Sequence, residues 1–154
     1  MEQLSLTQKQ YITEIATIHE SEIESQNDNY KKSRMSVALR EEMIMSGLKF
    51  NTDRIWIEKE QETIIGYIWG RYLKEDNKIV IELLYVAKNY RKRGVATQLK
   101  YKVEEWGQTI GAQKIESTVT KNNIQMQQLN LKMDYQVSKV IMTKNLNVNN
   151  EEID

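Results

Sequence analysis

The chain has 154 residues, 40% of them hydrophobic and 29% charged, with 22 Lys+Arg balanced by 22 Asp+Glu. That describes one soluble globular domain with enough apolar surface for a core, and the lack of a basic excess argues against a general nucleic-acid binder. With no cysteine and a single histidine, His19, thiolate nucleophiles, disulfides and zinc–thiolate sites are excluded, and a Ser–His–Asp triad or a histidine-rich metal centre would hang on one residue. No metal is expected. No apolar run approaches the roughly 18 residues of a membrane span. The start, Met1-Glu2-Gln3-Leu4, lacks a secretory signal, so the expected location is cytoplasmic, without membrane or nucleic-acid partners.

Proline is absent, which leaves glycine and Asn/Asp clusters as punctuation. Leu4 and Leu6 suggest a short first strand. Thr7 followed by Gln10 reads as a capping box, and Ile12, Ile15, Ala16, His19 and Ile23 continue one face of a first helix that Gln26-Asn27-Asp28-Asn29 ends. On that face His19 reads as a boundary residue making one hydrogen bond. Glu20, Glu22, Glu24 and Asp28 read as a solvated face. A second helix is predicted from Ser33 to Ser46, with Met35, Ala38, Leu39 and Met43 inward and Gly47 after its end.

Strand texture follows: Ile55 to Ile57, a turn at Glu60-Gln61-Glu62, Thr63 to Tyr72, a turn at Lys74 to Lys78, and Ile79 to Val86, the most apolar and therefore central strand. Val95, Leu99, Val103, Trp106 and Ile110 make one stripe of a long amphipathic helix closed by Gly111. Ile115, Ser117 and Val119 alternate as a strand. Asn123 to Met133 reads as a short helix, Tyr135 to Leu146 as a last strand or strand pair, and Asn147 to Asp154 as a polar tail beyond a domain spanning 1–146. The class is α+β: a central mixed, mostly antiparallel sheet with about four flanking helices on both faces.

The segment from Ile79 to Ala96 carries chemistry. A buried strand runs into Ala87-Lys88-Asn89-Tyr90, then Arg91-Lys92-Arg93-Gly94-Val95-Ala96, then a helix. A helix start leaves about four backbone N–H groups without intrahelical partners, and its dipole adds partial positive charge. Gly94 lets a phosphate approach the backbone, and Lys88, Arg91, Lys92 and Arg93 add cations, so a diphosphate suits the loop. The glycines of a Walker A loop or a dinucleotide fingerprint are missing. A merely solvated basic loop is the other reading of this segment alone.

Leu84-Tyr85-Val86 followed by Arg91-Lys92-Arg93-Gly94-Val95-Ala96 resembles the pyrophosphate motif of the Gcn5-related N-acetyltransferase family. Asn123, Met126, Leu129, Lys132 and Tyr135 keep the spacing of that family's second segment. The resemblance implies an enzyme that moves an acetyl group from acetyl-CoA to a primary amine, on a small molecule or a protein. It also leaves a homodimer open. Leu84, Tyr85 and Val86 would pair with the pantetheine arm where two parallel strands splay. Lys92, Arg93, Gly94, Val95, Ala96 and Thr97, with Arg91, would hold the pyrophosphate. Asn123 would bond the cofactor arm.

Glu82 is the candidate base. By alternation it shares a face with Val80, Leu84 and Val86, where burial would raise its pKa towards that of a useful proton acceptor. The other reading is a structural carboxylate paired with a Lys or Arg of a neighbouring strand. Asn130 stands where the family usually has a tyrosine acid. Asparagine can hydrogen-bond the sulfur but gives up no proton, which leaves water, Tyr135 or Tyr85 as the donor. Asp134 replaces a usual glycine. Asn130 also admits a second function class, a CoA-binding sensor without turnover. Trp56 and Trp106 are expected in the core, and Trp69 either there or lining the acceptor cleft.

Overall fold

The computed structural model describes residues 1–147. The chain forms two compact units, Met1–Thr118 and Val119–Asp154. The first holds β1 (Glu2–Gln3), α1 (Lys9–Gln26), α2 (Arg34–Lys49), β2 (Asp53–Glu60), β3 (Thr63–Leu73), β4 (Lys78–Val86), a 3-10 turn at Lys88–Tyr90, α3 (Val95–Ile110) and β5 (Lys114–Ser117); the second holds α4 (Ile124–Lys132). The sheet runs in the order β1-β2-β3-β4-β5. Its first three pairings are antiparallel and β4–β5 is parallel, joined through α3. The α+β class expected from the sequence is what forms.

Each face of the sheet has its own core. On one, Ile12, Ile15 and Ala16 of α1 and Ile44 of α2 meet Ile55, Ile57, Tyr67 and Trp69. On the other, Leu99, Val103 and Trp106 of α3 meet Trp56, Ile68, Ile79 and Ile81. The two cores fit a strand's period of two: Ile55 and Ile57 face one way, Trp56 the other. All three tryptophans are core, so Trp69 fills the interior and does not line a cleft.

Several predicted boundaries move. The first strand is Glu2–Gln3, with Leu4 buried beside it and its N–H bonded to the Ile55 carbonyl at 2.8 Å. No Thr7 capping box forms: α1 starts at Lys9 without a side-chain cap, and Gln8 Oε1 reaches back to accept from the Ser5 N–H at 2.8 Å. The box belongs to α2, where Ser33 and Ser36 satisfy each other's backbone N–H groups at 3.0 and 2.9 Å.

The inward face of α2 is also rotated from the prediction. Met35, Leu39 and Met43 are exposed, and Val37, Ile44 and Leu48 pack inward. Gly47 lies inside this helix. A Cβ there would sit 2.3 Å from the Asp53 carboxyl carbon, so the glycine is what lets the helix pass over that carboxylate. Between β2 and β3, Gln61 and Glu62 both take left-handed backbone (φ 49 and 67), the two-residue hairpin turn whose twist matches the strands.

In the second unit Asn123 caps α4, its Oδ1 accepting from the Met126 N–H at 3.1 Å. At the other end Asp134 adopts φ 65. The Tyr135 N–H reaches the Asn130 carbonyl at 2.9 Å and the Asp134 N–H the Leu131 carbonyl at 3.2 Å, a Schellman closure that aspartate tolerates in place of glycine. The predicted last strand does not form: from Tyr135 to Asn147 the described residues hold no strand or helix. Of the predicted polar tail, residues 148–154 lie outside the described residues.

Candidate acyl-transfer site

β4 is paired on both sides only for part of its length. Its ladder with β5 ends at Ile81↔Ser117, and β4 continues to Val86. Among the described residues, Glu82 to Val86 therefore keep one edge without a strand partner, and all five are only half-buried. Leu84, Tyr85 and Val86 lie in this open stretch, as the resemblance implied.

A bulge marks where the opening begins. On β3, Trp69 pairs with Leu83 and Gly70 with Ile81, so Glu82 is an extra residue in β4. The bulge breaks the predicted alternation. Leu84 packs with Ile81 on the α3 face, whereas Leu83 and Tyr85 pack on the α1/α2 face. Glu82 also points to the α1/α2 side, where its Oε1 lies 3.3 Å from an Arg71 guanidinium nitrogen. Of the two readings of this residue, the ion pair across strands is present.

Arg71 ties Glu82 to a buried carboxylate. Asp53 is 1% exposed. It accepts from Trp69 Nε1 at 2.7 Å, from the Thr52 hydroxyl at 2.7 Å and from Arg71 at 3.1 to 3.3 Å. Every lone pair of a costly buried charge thus has a donor. Sequence reading missed this network. Its signals were an Asp opening a strand and an Arg ending an apolar one, both ambiguous until the register puts them together.

Two more polar sites thread the same face. His19 Nδ1 meets the Tyr67 hydroxyl at 3.2 Å, the one hydrogen bond expected, and burial with nearby Arg40 lowers its pKa to about 4. Glu20 is not on a solvated face. It is buried, bonded to Tyr30 and to Arg40 at 3.1 Å. Burial raises its carboxyl, but hydrogen bonds from Tyr30, Ser36 and Arg40 outweigh that and hold it below its ordinary value.

After β4, the Ala87 N–H bonds the Ile65 carbonyl at 2.8 Å and the chain makes its 3-10 turn. Arg91 folds back, its Nε donating to the Val86 carbonyl at 3.0 Å. Arg93 lies over the Tyr90 ring at 5.3 Å. Lys92 and Gly94 both adopt left-handed backbone (φ 62 and 83). For lysine that conformation is strained, and such residues concentrate where loops bind.

The first bond across the helix start is Gln98 N–H to the Gly94 carbonyl at 3.1 Å. Among the described residues no backbone acceptor is seen for the amides of Lys92, Arg93, Gly94, Val95, Ala96 and Thr97. A Cβ on Gly94 would meet nothing within 4 Å, so the space over this backbone is open and an anion could reach the amides. The donor set fits the diphosphate of coenzyme A.

Asn123 and Asn130 belong to the second unit. The Asn123 carbonyl oxygen is committed to the cap, and Asn130 Oδ1 is buried without a hydrogen-bond partner. Among the described residues no acidic or histidine cluster could hold a metal ion, and no helix is long and apolar enough to cross a membrane.

On this α+β scaffold an open strand edge runs into a left-handed glycine at a helix start. Residues 15–135 match the acetyltransferase (GNAT) family. A GNAT acetyltransferase structure from Staphylococcus aureus subsp. aureus is 41% identical, with 76% of this chain and 98% of that one aligned at a TM-score of 0.72. The aminoglycoside N-acetyltransferase AAC(6')-Iy in complex with CoA is 18% identical over 94% of this chain and 97% of its own, with a TM-score of 0.62. An aminoglycoside acetyltransferase from an uncultured soil metagenomic sample, in complex with sisomicin, is 13% identical over 96% and 94%, with a TM-score of 0.70. The last two share the fold. No curated protein matches the chain in sequence. The chain belongs to the GNAT acetyltransferase family and is an acyltransferase.

Proposed function

We propose that the protein transfers an acetyl group from acetyl-CoA to a primary amine by direct attack on the thioester. The observation that carries the reading is the open edge of β4, Leu84 to Val86, leading into the unpaired amides around Gly94. In this reading the strand edge pairs with the pantetheine arm and the amides of Lys92 to Thr97 take the pyrophosphate. Lys92, Arg93 and the helix dipole of α3 add positive charge. Asn123 offers its amide N–H to the arm, and Asn130 its side chain to the sulfur.

The Val86 N–H polarises the thioester carbonyl. The amine nitrogen bonds to the carbonyl carbon, the carbon–sulfur bond breaks, and no acyl-enzyme forms, which suits a chain without cysteine. Glu82 takes the proton from the ammonium, directly or through water, while Arg71 and Asp53 fix its position. The departing sulfur is protonated by water or by the Tyr85 hydroxyl. Burial raises the pKa of that hydroxyl, with Glu22 and Glu14 adding to the shift, so it stays protonated near neutral pH. Those carboxylates also favour a cationic acceptor. Polyamines, aminoglycosides, amino acids and protein N-termini make up the panel of amines to try.

A sensor that binds acetyl-CoA without turnover is the second reading, favoured by Asn130 at a usual tyrosine position and by the Glu82–Arg71 ion pair. Steady-state release of free CoA across the amine panel separates the two. Turnover with any amine, reduced by about 10²-fold or more in Glu82→Gln, supports the enzyme with Glu82 as base. Binding of acetyl-CoA with no release for every amine selects the sensor, and no binding at sub-millimolar concentration removes both.

A further inference from the structure

We propose that Asp53 is a positioning residue that acts through Arg71: it balances the charge of the guanidinium that holds Glu82, so that Glu82 is oriented and keeps its capacity to take a proton. This role rests on the reading of Glu82 as the base, and it gives a chemical purpose to a carboxylate that no acceptor can touch. The Asp53 side chain is 0% exposed, whereas those of Arg71 and Glu82 are 29% and 25% exposed.

One cation is shared unequally between two carboxylates. Arg71 gives Nε and Nη2 to Asp53 at 3.1 to 3.3 Å, and its remaining nitrogen, Nη1, faces Glu82 Oε1 at 3.3 Å. The doubly bonded fork to Asp53 is the stronger contact. Trp69 Nε1 and the Thr52 hydroxyl, each at 2.7 Å, fix the Asp53 carboxylate, and the guanidinium lies over the Trp69 ring at 5.8 Å. Burial opposes the charge of Arg71. The bond and charge of Asp53, ahead of the charge of Glu82, more than offset that and hold its pKa above the ordinary value. An arginine whose charge is not otherwise engaged lowers the pKa of a neighbouring carboxylate by about 1 to 3 units, which would spoil a base. Asp53 takes up that charge. Fastening β2 to β3 needs only Asp53 and Arg71; the bulge that makes Glu82 the extra residue of β4 brings a third partner to the nitrogen Asp53 leaves over.

Other charged or titrating groups share this side of the sheet: Tyr85 of β4 with Glu14 and Glu22 of α1 acting on it, the His19–Tyr67 pair, and the Glu20–Arg40 pair between α1 and α2. They are unchanged between the native chain and a variant at Asp53, so a difference between the two belongs to the shared cation. Asp53→Asn keeps the volume. Its oxygen can serve Trp69 and Arg71 while the Thr52 hydroxyl turns to accept from its amide. Asp53→Ser, neutral and with room for a water, is the second variant should the first not fold by circular dichroism.

The test is a carbon-13 NMR titration of the glutamate carboxyls in the full chain, with Glu82 assigned by the signal missing in Glu82→Gln; it needs no known acceptor. The Glu82 midpoint should fall by at least about 1 pH unit in Asp53→Asn and return most of the way in Asp53→Asn with Arg71→Met, where the unbalanced cation is gone. Equal midpoints in the native chain and Asp53→Asn overturn the proposal, and so does a midpoint that stays low in the double variant. With an amine that turns over, the acid limb of kcat/KM should move down with the Glu82 midpoint. The plateau of kcat should fall at least about 10-fold, as expected of a weaker base, with the KM for acetyl-CoA unchanged. Glu82→Gln without loss of turnover removes the base and this role together. Loss in Glu82→Gln beside a native midpoint in Asp53→Asn removes the role of Asp53 alone.

Discussion

The two faces of the sheet are built by different rules. Beneath α3 the core is almost wholly apolar: Trp56, Ile68, Ile79, Ile81, Leu99, Val103 and Trp106. Two cations go with this side: Arg54, over the Trp106 ring at 5.4 Å, and Lys100 of α3, whose ammonium is lowered to about 8 by burial, with Glu104 opposing. Beneath α1 and α2 the core carries three polar groupings, His19–Tyr67, Glu20–Tyr30–Arg40 and Asp53–Trp69–Arg71–Glu82. The apolar face anchors the helix whose start presents the amides. The polar face positions Glu82 at the bulge where β4 opens. A buried polar network is worth its desolvation only when every group is satisfied. The cost is placed on the side where, in the proposed reaction, an amine must lose a proton.

The contrast can be tested face by face. The largest effect belongs to the helix start. Gly94→Glu puts a carboxylate at a left-handed position facing the amides. It should weaken acetyl-CoA binding by at least about 1000-fold, roughly 4 kcal/mol, by calorimetry. Retained affinity would remove the phosphate-loop assignment.

Next is the apolar face itself. Trp106→Ala should cost about 3–5 kcal/mol in denaturant unfolding without changing the pH dependence of stability. A pH slope lost in this variant would show that the faces are not independent.

The polar face supplies the pH term. The His19 pKa lies near 4 in the fold against an ordinary 6.5. Between these values the unfolded chain binds a proton that the folded chain refuses, so stability rises with pH across this window and falls on acidification. The whole window amounts to about 3 kcal/mol. Urea titrations from pH 4.5 to 7 should show that slope in the native chain and lose it in His19→Phe. An unchanged slope in the variant would assign the term elsewhere.

The smallest effect expected is Gly47→Ala, whose Cβ collides with Asp53. It should cost about 1–3 kcal/mol. It should also lower turnover more than the same loss of stability produced on the α3 face, because Asp53 holds Arg71 against Glu82.

The elements with strong period were readable in advance. The α3 stripe from Val95 to Ile110 and its Gly111 stop form as predicted, with Gly111 at φ 72. The same is true of β3, β4 and α4 within a residue or two. These depend on local alternation and on residues with a fixed steric preference. The face of α2 was misread because Met35, Leu39 and Met43 make as regular a stripe as the inward Val37, Ile44 and Leu48. Only the position of the sheet says which stripe is covered. The last strand failed because alternation and β-branched residues mark strand texture, which alone does not make a strand.

Composition and periodicity were sufficient for the class of fold, and the Arg91–Ala96 motif with the Asn123–Tyr135 spacing for the family, since those rest on neighbours in sequence. The bulge at Glu82, the Asp53–Arg71 bridge and the close pass of Gly47 were settled by packing. They depend on strand register and on helices meeting residues far along the chain, and a one-residue slip in register exchanges the two faces of a strand.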